Sequence, residues 1–320
     1  MSKIENAKTY LGKELENIFF RPLFADEGAR ELGIKVMYNM PAPTRLHFWH
    51  RPDDVLHKYT SAGWNGSASA ERYTKTIELH RVKAEMSYSA DEYFSLVYDS
   101  LAQSALTQLD DLTGTELETA LFRQAIMESV RATMWLGKTA REEGLNTFDG
   151  FLHRILSDAE EQEIPTEMYE SVSADSADER LRSVWDNASE ELRNMRSEGQ
   201  LAFFVTTDVY GAYEDSLEVA DNEAAYRVRQ DGPGSLMFKG IPVIDMKLGG
   251  YLAKYYDLGV SFILLTDRRN LALALNTGDF PGSEVRMWYN PDLMENRQRA
   301  IFMAGCDYLL PELVSLGYAQ

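Results

Sequence analysis

The chain has 320 residues, 44% of them hydrophobic, and 32 basic against 51 acidic positions leave a formal charge of −19. That apolar content supplies one large core or two to three interlocked ones and excludes disorder of the whole chain. The acidic balance opposes tight binding of nucleic acid through a general basic face. Cys306 is the only cysteine, so intrachain disulfides and CxxC-type zinc patterns are excluded. The opening MSKIENAKTYLGKELENIFF has no uninterrupted apolar core of a secretion signal, and no stretch reaches the length of a bilayer span. A soluble chain made inside a cell is expected.

Residues 1–41 are weakly periodic and lead to Pro41 and Pro43; prolines so placed favour extended chain, so an arm entering a strand is expected. From Thr44 to Tyr88 the sequence is rich in aromatic and β-branched residues around the glycine-containing turn SAGWNGSAS, the pattern of a long β-hairpin. The returning strand places Ile77 and Leu79 on one face, then Val82, Ala84, Met86 and Tyr88. Its alternation slips by one position near Arg81, and a bulge is expected there. Isolated hairpins are marginal in water, so this one is expected to lean on a neighbouring subunit.

Thr113 and Glu116 have capping-box spacing, and Phe122, Ile126, Val130 and Thr133 then recur at near-helical intervals. They predict a long helix ending close to Gly137, with Phe122, Ile126 and Val130 facing the core and Arg131 turned away from it. A shorter helix is predicted over FDGFLHRIL. The acidic stretch SDAEEQEIPTEMYESVSADSADE reads as a linker and a domain boundary. Beyond it, Ser176 and Glu179 suggest a second capping box, followed by a helical stripe of Leu181, Val184, Trp185, Ala188, Leu192 and Met195. A strand is predicted at LAFFV, then a short helix started by Thr206, Thr207 or Asp208 that turns Val209, Tyr213 and Leu217 inward. Further strands are predicted in LMFKGIPVID, SFILLT, LALAL and EVRMWY, with turns at 231–234 and 279–282. The class is α+β, with helices on the face of a sheet.

Little in the chain points to catalysis. The glycine clusters at Gly63 to Gly66 and Gly232 to Gly234 lack the lysine and the strand-to-helix setting of a phosphate loop, and the nucleophile-elbow pattern is missing. His47, His50 and His57 are close in sequence, but strand alternation puts the first two on opposite faces, which argues against a shared metal. His80 and His153 have no evident partner and read as surface or interface residues. Cys306 lies in the apolar run IFMAGCDYLL with no histidine after His153, and reads as a small core residue. Neighbouring acids such as Asp110 and Asp111, or Glu160 and Glu161, read as a solvated face, so no acid/base pair stands out. No catalytic residue, metal site or cofactor is expected. Among the tryptophans, Trp185 belongs to a core stripe, while Trp64 at the hairpin tip has no local core and is an interface candidate.

The order of elements carries a resemblance. TMWLGKTA closes the long helix, FDGFLHRI follows it, LMFKGIPVID follows the Asp/Gly loop, and the last stretch is EVRMWYNPDLMENRQRAIFMAGCDYLLPELVSLGYA. From about Glu14 onward the chain resembles the major capsid proteins of tailed bacteriophages that share the Hong Kong 97 fold, and is most similar to versions found in phages of Bacteroidetes-like hosts. The resemblance implies an N-terminal arm at 1–41 and an extended hairpin, the E-loop, within 42–88. It implies a peripheral domain at 89–164 and 301–320, whose long spine helix covers 113–137, and an axial domain at 165–300. Phe48, Trp49, Val55, Tyr59 and Trp64 become the inter-subunit candidates of the E-loop.

The implied function is structural: the subunit assembles with itself into pentamers and hexamers of an icosahedral shell, procapsid and then mature head, around double-stranded DNA. Scaffolding, portal and decoration proteins are implied partners, contact with packaged DNA is weak and non-specific, and no membrane is involved. The location is the virion, after assembly in the bacterial cytoplasm. About 40 residues precede the hairpin, too few for a long helical scaffolding segment at usual domain sizes, so a separate scaffold or none is expected. Some relatives join subunits by a Lys to Asn isopeptide bond; Lys58 and Lys75 lie in the hairpin, but no acid and asparagine partner can be assigned, and no crosslink is expected. An encapsulin shell around a cargo enzyme fits the same fold, whereas a cytoplasmic α+β hydrolase leaves the long hairpin without a role.

Overall fold

The computed structural model describes residues 7–11, 32–40, 44–50, 71–89, 114–219, 236–255, 261–276 and 284–319. Strands β1 (Lys8–Tyr10), β2 (Lys35–Tyr38), β3 (Thr44–His50), β4 (Glu71–Ile77) and β5 (His80–Ser89) precede helices α1 (Gly114–Leu136) and α2 (Phe151–Asp158). Next come β6 (Thr166–Tyr169), α3 (Ala177–Asn187), α4 (Glu190–Asn194), β7 (Leu201–Val205), α5 (Thr207–Val219), β8 (Leu236–Phe238) and β9 (Ile241–Asp245). The remaining elements are α6 (Gly249–Tyr255), β10 (Phe262–Asp267), β11 (Leu271–Asn276), β12 (Glu284–Asn290), β13 (Glu295–Tyr308) and β14 (Val314–Ala319).

The strands form three sheets. The first is six-stranded and organised by β13, which pairs with β5, β12 and β11, while β1 extends the β12 edge and β2 pairs in parallel with β11. The second is six-stranded in the order β6-β14-β10-β7-β9-β8, and the third is the β3–β4 ribbon. Residue 300, where the sequence suggested a return to the peripheral domain, falls inside β13, whose two halves share one sheet; β14 returns to the other.

The alternation slip near Arg81 is a strand break rather than a bulge. β4 ends at Ile77, which pairs with Thr44, and β5 begins at His80, which pairs with Ala304. Glu78 and Leu79 carry the chain from one sheet to the other, so the face that pointed inward at Ile77 is resumed at Val82, both of which are buried. A slip of one position is the same signal whether an extra residue bulges or a short link changes sheets. The link needs Gly305: a Cβ there would lie 2.0 Å from the Glu78 carbonyl oxygen. Only a residue without a side chain lets two backbones approach so closely.

α1 turns Phe122, Ile126 and Val130 onto the first sheet, at the four-residue spacing of one helix face. Its last turn is buried all round: Trp135 lies 5.3 Å from the rings of both Phe151 and Phe204 and stacks on Phe262 at 6.1 Å. The helix end thereby joins α2 to the inner face of the second sheet. Gly137 and Gly150 allow this, because a Cβ on Gly137 would meet Phe148 O at 2.2 Å and one on Gly150 would meet Thr133 O at 2.6 Å. On its other face the second sheet buries Phe203, Val205, Val243, Ile263 and Leu265 under α3, α4 and α5, with Leu181, Val184, Leu192 and Val209 opposite them.

Two further expectations change. The acidic linker carries β6, anchored by buried Ile164 and Tyr169, because two apolar residues suffice where a ready-made β14 edge supplies the ladder. The stripe from Leu181 to Met195 is two helices, since Ala188 is extended and Ser189 caps α4 by accepting from Leu192 N at 3.0 Å. Ser176 makes no cap; its hydroxyl turns back to Ser173. Thr113 and the turns at 231–234 and 279–282 lie outside the described residues.

Candidate functional site

β3 and β4 pair from Thr44 with Ile77 to His50 with Glu71. Alternation exposes Arg45, His47, Arg72, Thr74 and Thr76, and leaves Leu46, Phe48, Tyr73 and Lys75 half-buried. Phe48 and Tyr73 stand across from each other with ring centroids 6.4 Å apart. Phe48 also packs against the chain's own cluster of Ile77, Ala272, Ala274 and Leu309, so part of its surface is covered within the subunit. Trp49 is on β3, opposite Arg72. Val55, Tyr59, Trp64, His57 and Lys58 lie outside the described residues. His47 Nδ1 accepts from Arg72 Nε at 3.2 Å and lies 3.1 Å from Thr74 Oγ1, an ordinary cross-strand contact. Among the described residues no three of His, Cys, Asp and Glu are gathered as a metal site.

The foot of the ribbon holds a group that sequence reading did not assemble. Lys75 Nζ of β4 is 3.3 Å from Asp158 of α2 and 3.3 Å from Asp307 of β13, and sits 3.9 Å over the Tyr308 ring. The contact with Asp307 Oδ1 is an ion pair rather than an aligned hydrogen bond. Tyr308 donates to Asp158 at 2.6 Å. Burial pushes the Asp307 carboxyl up to about 6, against the opposing charges of Lys75 and Arg154. Burial acts on Asp158 too, but there the Tyr308 hydrogen bond and Lys75 outweigh it and hold the carboxyl below its ordinary value. Arg154 is engaged with Glu78 at 3.2 Å and Asp149 at 3.8 Å. The three contributors come from hairpin, helix and sheet, more than eighty residues apart, and only the fold brings them together. The one local signal was an aspartate inside the apolar run IFMAGCDYLL.

Nothing in this group resembles a nucleophile and its base. Cys306 is 2% exposed and its thiol donates to the carbonyls of Met134 and Asp149 at 3.4 and 3.3 Å; burial pushes the thiol up, away from the reactive thiolate. His153 is 3.9 Å from Asp149, whose carboxylate accepts from Thr139 N and Oγ1. The other surface feature is apolar: the turn joining β12 to β13 presents Leu293 and Met294, 61% and 68% exposed, with Asn290 Oδ1 accepting from Asp292 N to brace it.

No protein-family profile matches the chain, and no curated protein does. Solved structures do. A chain of the satellite phage P4 procapsid including size determination (Sid) protein aligns with a TM-score of 0.55 at 10% identity, covering 92% of this chain and 96% of that one. A chain of Gordonia phage Cozz aligns at 0.53 and 12% identity, covering 91% and 86%. The capsid of the empty GTA particle, computed with C5 symmetry, aligns at 0.51 and 16% identity, covering 91% and 88%.

Proposed function

On the premise that this chain carries the Hong Kong 97-type capsid fold, we propose that it is a major capsid protein of a tailed bacteriophage. It assembles with itself into the icosahedral head that encloses double-stranded DNA. The observation that carries the reading is coverage: the likeness to phage and capsid particle chains extends over about nine-tenths of this chain and of theirs.

In this reading the first sheet with α1 and α2 is the peripheral domain, the second sheet with α3, α4 and α5 is the axial domain, and β3–β4 is the base of the E-loop. The ribbon reaches over the adjacent subunit, with Trp49, Val55, Tyr59 and Trp64 as the residues that would meet it. The subunit's role is structural, and its strength is multivalent: modest contacts repeated around closed symmetry give a stable particle. Pentamers and hexamers, scaffolding, portal and decoration partners, the virion location and the bacterial site of assembly all belong to this reading. A charge of −19 suits a wall along which packaged DNA slides without sticking.

Electron microscopy of the purified chain beside a variant lacking Ser61 to Ser69 tests it. Closed shells from the parent, and a folded, soluble variant that cannot close them, are expected. A parent that stays a compact monomer under all assembly conditions sinks the reading. Shells from the shortened chain remove the hairpin tip from it.

A further inference from the structure

The ribbon is tied to the body on both strands: Met40, four residues before Thr44, is hydrogen-bonded to Leu275 and Asn276, and on the β4 side the connection is narrow. β4 gives way to β5 across Glu78 and Leu79, and that link lies on Gly305. A two-residue link fixes where the ribbon starts, but its few φ and ψ angles leave the direction open. The apolar contacts of Leu46, Phe48 and Ile77 at the foot are non-directional. Beside the ribbon lies an open cleft of about 740 Å³, lined in part by Phe48, Arg72, Tyr73, Glu163, Leu310 and Glu312, which leaves room to swing. Lys75 is different in kind. It reaches two carboxylates on two separate elements of the body, at 3.3 Å each, with its ammonium against an aromatic face.

We propose that Lys75 is the positioning residue of the hairpin: bridging Asp158 and Asp307, it fixes the angle at which β3–β4 leaves the body, and without it the ribbon swings while the body stays folded. The surrounding charges support this assignment. Arg154 from α2 is engaged with Glu78 and Asp149, leaving Lys75 as the ribbon's own cation in the group, while Tyr73 from β4 and Tyr308 from β13 flank it. Asp307 has a side chain 4% exposed, and its burial outweighs the attraction of its neighbours. At neutral pH the fold therefore carries an ionised carboxylate that lowers its stability, as expected of a charge whose role is orientation. The use of that angle in reaching a neighbour rests on the shell reading; the positioning itself does not.

Spin labels at Arg45→Cys on β3 and Glu191→Cys on α4 report the angle, since the native Cys306 is buried and stays unlabelled. Pulsed electron paramagnetic resonance on the full chain, diluted with unlabelled subunits, gives the distance distribution whether or not shells form. A failure to form shells then counts against the shell reading alone. The parent should show one narrow distribution, Lys75→Met and Asp307→Asn distributions about twofold broader, and Lys75→Arg a return toward the parental width. The thermal midpoint of Asp307→Asn at pH 7.5 should rise while its distribution broadens, a combination that loss of a merely structural contact does not produce. Parental width in Lys75→Met overturns the proposal, as does broadening in Asp307→Asn that comes with a lower midpoint. Should Lys75→Met fail to fold, Asp307→Asn decides alone, and a parental width in it is fatal.

Discussion

Two ribbons of this molecule have the same backbone plan and opposite circumstances. β3–β4 and β12–β13 are both antiparallel and each has seven residues in its shorter strand. β12–β13 gains β5 as a third strand and α1 as a roof, so Val285, Met287, Ala300 and Phe302 are buried. Among the described residues β3–β4 has neither, and of its described side chains only Ile77 at the foot is buried. Pairing of strands alone makes neither ribbon stable; cover on one face does. The described chain covers one ribbon along its length and the other only at its foot, where Leu46 and Phe48 meet Ala272, Ala274 and Leu309.

The strongest way to break this comparison is to remove the roof. Ile126→Asp puts an unpaired charge under α1 at a position 3% exposed and should cost about 4 kcal/mol or more, enough to abolish soluble folding. Circular dichroism with size-exclusion chromatography checks this, and a folded variant would mean the roof is not what holds β12–β13. Next in size is Asp307→Asn. The folded carboxyl lies at about 6 against an ordinary 3.8, so the stability it contributes is fully present below pH 4 and lost as pH rises through 6. The asparagine avoids that loss and should gain up to about 3 kcal/mol at pH 7.5, with no gain near pH 4. Urea unfolding at both pH values measures the difference.

Gly305→Ala sharpens the comparison at the point where the two ribbons meet. A methyl 2.0 Å from the Glu78 carbonyl forces the link to shift, and a loss of about 2 kcal/mol is expected in the same urea assay. The smallest effect belongs to Arg131→Ala. The guanidinium donates to Glu128 at 2.8 and 3.1 Å and to the Met246 carbonyl at 3.1 Å, tying α1 to the loop before α6. Half-buried as it is, its loss should lower stability by about 1 kcal/mol with folding intact. A larger loss would mean that the roof depends on that tie as well as on its apolar face.

What was legible in the sequence follows the same division. The α1 face of Phe122, Ile126 and Val130 could be read from spacing, and LAFFV, SFILLT and LALAL could be read as strands, because local periodicity and uninterrupted apolar runs report cover from above and below. β6 was illegible: its four residues, TEMY, sit in an acidic stretch, and their pairing is decided by β14 far along the chain. The parallel partnership of β2 with β11 is hidden for the same reason. Lys75 was visible only as a lysine in a hairpin, since the acids that give it a role lie on α2 and β13. A long-range group of charges leaves no period for a sequence to show.

The place of β14 has a consequence for how the protein is made. It fills the gap between β6 and β10, and it is the last of the described strands to be synthesised. Until residues 314–319 leave the ribosome, β10 has an open edge and β6 has no partner at all. A chain cut short in that region exposes the inner strand of a sheet rich in leucine and phenylalanine, the kind of edge that joins other chains indiscriminately. The sheet therefore closes only once β14 has been made, and a chain that stops before it carries a bare β10 edge.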